Sequence, residues 1–184
     1  MMSSILYART LLNLVRSGWL LRGIPSPIAE TVAEHIFLTA FICIELSSNI
    51  QGVDVGKVVL YSLIHDIGEA FIGDIVKPLS VRLGELKGHI EEDYITKNID
   101  NELIVDLYKK YIRQIDFEAK LAKLCNYIST FLVGTEYKDL GYKVNDIIDN
   151  TYNEIERISR ELNIEGIVKN LITKLISKEL NIGD

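Results

Sequence analysis

The sequence predicts an all-α protein. Apolar residues recur at helical spacing along almost the whole chain, and nothing alternates like a strand for long. The three prolines, Pro25, Pro27 and Pro78, fall at two points only, and both read as helix boundaries. With 184 residues, 48% of them hydrophobic, the chain can bury one sizeable core. It carries no repeat, low-complexity tract or linker, so one domain over 1–184 is expected.

Taken in order, the apolar spacing predicts helices over 4–16, 29–49, 55–66, 68–73, 84–99, 102–114, 117–137, 144–162 and 165–180. Ser3, Asp54, Asp116 and Asn163 stand where N-caps are needed, and Gly52, Gly141 and Gly183 stand near ends or turns. The segments 31–46 and 117–133 are apolar on most of their circumference and should lie centrally. On the first, His35 shares one stripe with Ile28, Val32, Thr39, Ile42 and Leu46. On 55–66, Asp66 is in line with Val55, Val59 and Ser62, and His65 with Val58 and Tyr61. Glu69, four residues after His65, lies on the same face of that helix or its continuation. The segment 84–99 reads as a charged, solvent-facing helix, so His89 on it is not expected to be a ligand. The stripes in 150–184 are wide enough for packing on the rest, and a leftover stripe would suit a homodimer.

Composition excludes several classes. A net charge of −6 opposes the phosphate attraction on which non-specific nucleic-acid binding relies, so a small-molecule partner is expected and nucleic acid is not. Cys43 and Cys125 form no disulfide framework, and a reducing cytoplasm fits them. In "MMSSILYARTLLNLVRSGWLLRG", Arg9 and Arg16 interrupt the apolar residues and no small-residue cleavage site follows, so the segment reads as mature protein. The most hydrophobic stretch, 36–46, falls short of the roughly 20 residues needed to cross a bilayer, so no membrane partner is expected.

The run "SLIHDIGEAFIGDIVKP" (62–78) sets His65, Asp66, Glu69 and Asp74 among small and apolar residues. Burying an isolated carboxylate costs several kcal/mol, so Asp66 needs a partner. A histidine on a neighbouring helix could satisfy it as a plain structural contact. Three features favour a divalent metal instead: His35 on a core helix, a His-Asp pair at a helix end, and Glu69 and Asp74 close behind it.

At these residues the sequence resembles the HD-domain metal-dependent phosphohydrolases, and most nearly their 5′-deoxynucleotidase branch. The matching words are "RSGWLLRG" (16–23), "ETVAEH" (30–35), "HDIGEAFIGDIVKP" (65–78) and "EAKLAKLCNY" (118–127), in the family's order and at compatible spacings. They cover about 5–140, and the helical tail from about 144, expected to pack on that core, adds nothing specific.

The resemblance implies an irregular multi-helix HD-domain bundle that removes the 5′-phosphate from deoxyribo- or ribonucleoside monophosphates. It implies that His35, His65 and Asp66 hold a divalent ion (Mn, Co, Mg, Zn or Ni), and that Glu69 and Asp74 act beside it on the attacking water. It assigns the phosphate to an arginine near Trp19, with Arg16 and Arg22 both open, and substrate contact to the segment from Asp74 to Lys77. Trp19 would line the sugar or base side, or else anchor the core.

Position 126 departs from the pattern. Where the family has a second aspartate ligand, this chain has Asn126, held in register by the words on either side. An amide can offer a metal its carbonyl oxygen, but it is neutral. The alternative reading is therefore a catalytically weakened nucleotide-binding or regulatory protein with the same fold.

Overall fold

The computed structural model describes residues 3–179; Gly183 and the last residue of the expected 165–180 helix lie outside the described residues. Within them the chain forms eleven helices, and the extended backbone pairs Val15 with Thr31 in an isolated bridge.

Helix α1 (Ser4–Leu11) begins where Ser3 caps the Ile5 N–H, as expected, but it stops well before 16. The reason is a contact from further along the chain. The Leu14 carbonyl accepts the Val32 N–H at 2.8 Å, and the Arg16 N–H donates to the Glu30 carbonyl at 3.0 Å. Those groups are thereby diverted from the helix. Arg16 becomes the N-cap of a short helix, α2 (Ser17–Leu20).

Helix α3 (Val32–Ser47) starts at a capping box that the sequence reading passed over. The Thr31 hydroxyl accepts the Glu34 N–H, and the Glu34 carboxylate accepts the Thr31 N–H in return. α4 (Val55–Ile64) is capped by Asp54 and ends at His65, and α5 (Glu69–Ile72) follows at once. α6 (Lys77–Leu83) was not expected; Pro78 sits in its first turn, where a missing N–H costs nothing.

Next come α7 (Glu85–Asn98), α8 (Glu102–Ile112), α9 (Phe117–Asp139, capped by Asp116), α10 (Asn145–Glu161) and α11 (Glu165–Glu179). Asn163 is not the N-cap expected of it. It takes a left-handed φ of 56° and ends α10 instead, with the Ile164 N–H reaching back to the Ser159 carbonyl at 2.9 Å.

α9 lies at the centre, packed by α3, α4 and α10. It is buried on most of its girth, from Ala119 to Tyr137. The α3 stripe of Val32, His35, Thr39, Ile42 and Leu46 is buried as expected, while Ile28 precedes the helix and is exposed. α3 is not enclosed all round, however. Phe37, Phe41 and Ile44 make an outward face. α10 comes close to α9 at Gly134, where an added Cβ would sit 3.0 Å from Ile148 Cγ1. No described helix is long and apolar enough to cross a membrane.

Candidate active site

α3 supplies His35, and the end of α4 supplies His65 and Asp66. One potential ligand atom from each lies within 4.8 Å of the others. The two imidazole centroids are 5.4 Å apart.

The hydrogen bonding at His65 tests whether a cation fits. Its Nδ1 lies 2.7 Å from the Ser62 carbonyl, which can only accept, so Nδ1 carries a proton and the neutral ring presents its lone pair at Nε2. Nε2 is buried and has no hydrogen-bond partner. It stands 3.0 Å from Asp66 Oδ2, another acceptor. In the neutral ring that contact sets two lone pairs face to face, and a cation between them removes the repulsion, so the set fits a divalent metal.

Asn126 comes from the middle of α9, with Oδ1 3.2 Å from His35 Nε2. The amide oxygen therefore faces the imidazole rather than solvent. Two imidazoles and one carboxylate form a candidate site for a single ion, with the Asn126 amide beside His35.

Arg16 reaches this cluster and Arg22 does not. Arg16 Nη1 lies 2.9 Å from Glu30 Oε2 and 3.2 Å from His35 Nδ1, with Thr130 Oγ1 at 3.3 Å. Arg22 turns to the cavity rim and pairs with Asp146.

Glu30 organises this corner and was missed from sequence. Its Oε2 also accepts the Trp19 indole N–H at 3.0 Å, its backbone N–H donates to Tyr137 Oη at 2.8 Å, and its Oε1 is 3.6 Å from His35 Nδ1. Burial would push the Glu30 carboxyl up, but Arg16, then His35 and the Trp19 N–H, hold it down at about 2. For His35, burial first and the Arg16 charge second push the imidazole below its usual value, which favours the neutral form a metal ligand needs. Glu30→Gln should lower stability by about 3 kcal/mol, because it leaves the Arg16 guanidinium buried without its counter-charge. Urea unfolding would measure it, and an unchanged midpoint would mean that Arg16 has another sufficient partner.

Glu69 opens α5 and is 6% exposed. Burial, then the Asp66 and Asp74 carboxylates, push its carboxyl well above the usual range, with Lys87 and Arg16 opposing. Asp74 ties the site to α2: its carboxylate accepts the Ser17 N–H, and its carbonyl accepts the Ser17 hydroxyl at 3.0 Å. Arg16, Asp66, Glu69, Asp74 and Asn126 share the wall of a cavity of about 510 Å³.

A model of the HD domain family matches residues 8–164. The chain belongs to the HD domain family. Among relatives of this HD-domain protein, a human protein named 5′-deoxynucleotidase HDDC2 is 28% identical over 163 residues, covering 82% of this chain and 78% of that one. A zebrafish (Danio rerio) protein of the same name is 31% identical over 133 residues, 68% of this chain and 63% of its own. A solved structure, a conserved hypothetical protein from Pyrococcus furiosus, superposes with a TM-score of 0.77 at 26% identity, over 95% of this chain and 98% of its own.

The match runs past 140, where the sequence words ended, and takes in α10. The cavity explains why α10 matters to this HD-domain protein: Ile147, Asn150, Thr151 and Glu154 form its far wall. No local signal marked them, since their role depends on α10 lying against α9. Trp19 is 2% exposed, with its ring edge-on to Tyr137 at 5.1 Å, so it anchors the core while touching the cavity. Lys77 is exposed at the mouth, its ammonium 5.6 Å from the Tyr127 ring centroid. His89 faces solvent, as expected. Lys87 was missed because α7 reads as a solvated helix, yet its ammonium lies 3.4 Å from Glu69 Oε1.

Proposed function

We propose that this HD-domain protein is a metal-dependent phosphohydrolase that removes the 5′-phosphate of nucleoside monophosphates, with deoxyribonucleotides preferred. The observation that carries the reading is the cluster of His35, His65 and Asp66, with the buried Glu69 carboxylate and the part-buried Arg16 guanidinium beside it on one cavity. The cavity volume falls within the ~300–1,000 Å³ usual for small-molecule sites. The names of the human and zebrafish relatives support the nucleotide substrate.

In this reading His35, His65, Asp66 and Asn126 hold the ion. When bound, it would lower the pKa of a water and neutralise a phosphoryl oxygen. Arg16, already turned toward His35, grips phosphate oxygens in a bidentate fork. Glu69 takes the proton of the attacking water as the phosphorus–oxygen bond to the nucleoside breaks, and the departing 5′-oxygen takes up a proton from Glu69 or solvent to leave as the nucleoside hydroxyl. Asp74 keeps the α2 turn, and hence Arg16, in place through Ser17 and orients the water with its remaining oxygen. Trp19, Arg22 and Lys77 bound the sugar and base end. The buried free thiols of Cys43 and Cys125 suit a reducing cytoplasm.

The decisive experiment is release of inorganic phosphate from deoxy- and ribonucleoside monophosphates, with added Mn²⁺ or Co²⁺ and with chelator. Metal-dependent release, faster on the deoxy series, is expected. No release with any metal at saturating substrate would leave the second reading, a weakened regulatory relative. What favours that reading is Asn126, a neutral group where the family pattern carries a carboxylate.

A further inference from the structure

We infer that Lys87 is a positioning residue for this site: its ammonium, held between Glu91 and Glu69, fixes the Glu69 carboxylate against the cavity. The inference rests on the phosphohydrolase reading and adds a role that none of the sequence words contains.

The geometry is a chain of three polar groups, Tyr108 and Glu91 buried and Lys87 part-buried, that ends at Glu69. Tyr108 on α8 donates its hydroxyl proton to Glu91 Oε2 at 2.9 Å. Glu91 Oε1 lies 3.2 Å from Lys87 Nζ, one turn back on α7, and Lys87 Nζ lies 3.4 Å from Glu69 Oε1. Glu91 is 4% exposed and Tyr108 is fully buried. The stem of Glu91 presses on the backbone just before Glu69: a Cβ added at Gly68 would lie 2.8 Å from Glu91 Cβ. The φ of Gly68 is −61°, so space rather than backbone conformation asks for glycine there.

A buried carboxylate is costly unless it is paired, and Glu91 is anchored at both oxygens. Tyr108 fixes one, and the other fixes Lys87. Lysine has a flexible stem, so its charge settles where the surroundings hold it. Here the surroundings are two carboxylates on opposite sides. That leaves the ammonium largely neutralised, which suits it to orient Glu69 rather than to grip a substrate phosphate. Without it, Glu69 would face Asp66 and Asp74 with one counter-charge fewer and would be free to turn from the water.

The test is a kinetic cycle on the metal-loaded protein with a deoxynucleoside monophosphate: wild type, Lys87→Met, Glu69→Gln and the double variant. Loss of an outer partner commonly costs about 10- to 100-fold. Lys87→Met should lose that much in kcat, with KM within about twofold and Mn²⁺ affinity by calorimetry unchanged. In the Glu69→Gln background it should lose nothing further, and Lys87→Arg should recover most of kcat. A rise in KM with kcat retained, or a full loss repeated in the Glu69→Gln background, would overturn the inference. If Lys87→Met does not fold, Lys87→Gln in the same cycle decides. Failure of the wild type to release phosphate would count against the phosphohydrolase reading; an active wild type with an unaffected Lys87→Met counts against Lys87 alone.

Discussion

Glu69→Gln should reduce phosphate release by about a hundredfold, the scale of general-base removal, while metal affinity stays as it was. The amide keeps the size and packing of the carboxylate and removes only its capacity to take a proton. The same change should stabilise the metal-free fold at neutral pH. Burial first, then Asp66 and Asp74, raise the Glu69 pKa in the folded state. A carboxyl raised on folding is no burden below its unfolded pKa. It costs stability increasingly as pH climbs from there to the folded value, and the full cost persists above it. Removing the charge removes that cost. Lower turnover with a higher melting temperature would therefore mark Glu69 as a group kept for chemistry at the expense of stability. Unchanged turnover at saturating metal would make it a bystander.

Asn126→Asp should tighten divalent-metal binding by about 10- to 100-fold. A carboxylate beside a divalent ion gains at least the ~4 kcal/mol of a unit pair at 4 Å and effective ε of 20, and desolvation takes back part of it. The replacement is nearly isosteric, and the native oxygen already stands 3.2 Å from His35 Nε2. Without metal the sign reverses, because the new carboxylate joins Asp66 in a buried site, raising a pKa and destabilising the fold. Calorimetric titration of Mn²⁺ into both proteins, with the deoxynucleotide assay in parallel, checks both halves. If occupancy limits the native protein, the variant should reach full activity at lower metal concentration. Equal affinities would show that position 126 does not touch the ion.

His35, His65 and Asp66 were legible because each interrupts an apolar helical stripe, and an ionisable group on such a stripe must be buried with a partner. The caps at Ser3, Asp54 and Asp116 were legible for a local reason too, since the N–H each one accepts lies two or three residues away. Asn163 misled because a residue between two helices can serve either one, and its left-handed φ assigns it to the end of α10.

By itself, then, the sequence determined the helical class, most of the helices and the polar groups that could not remain without partners inside them. Only the tertiary structure decided which arginine reaches the site, where α1 stops, and that Glu30, Lys87 and the α10 wall belong to it. Arg16 and Arg22 are alike in local pattern, and they part because Glu30 pairs with one while Asp146 draws the other to the rim. Glu91 and Lys87 sit on a helix with the composition of a solvated one, and Glu91 is buried and Lys87 part-buried because Gly68 lets α7 close on the α4–α5 corner. Whether a charge is solvated or enclosed depends on what packs over it, and those groups are contributed by segments distant in sequence, beyond the reach of helical periodicity.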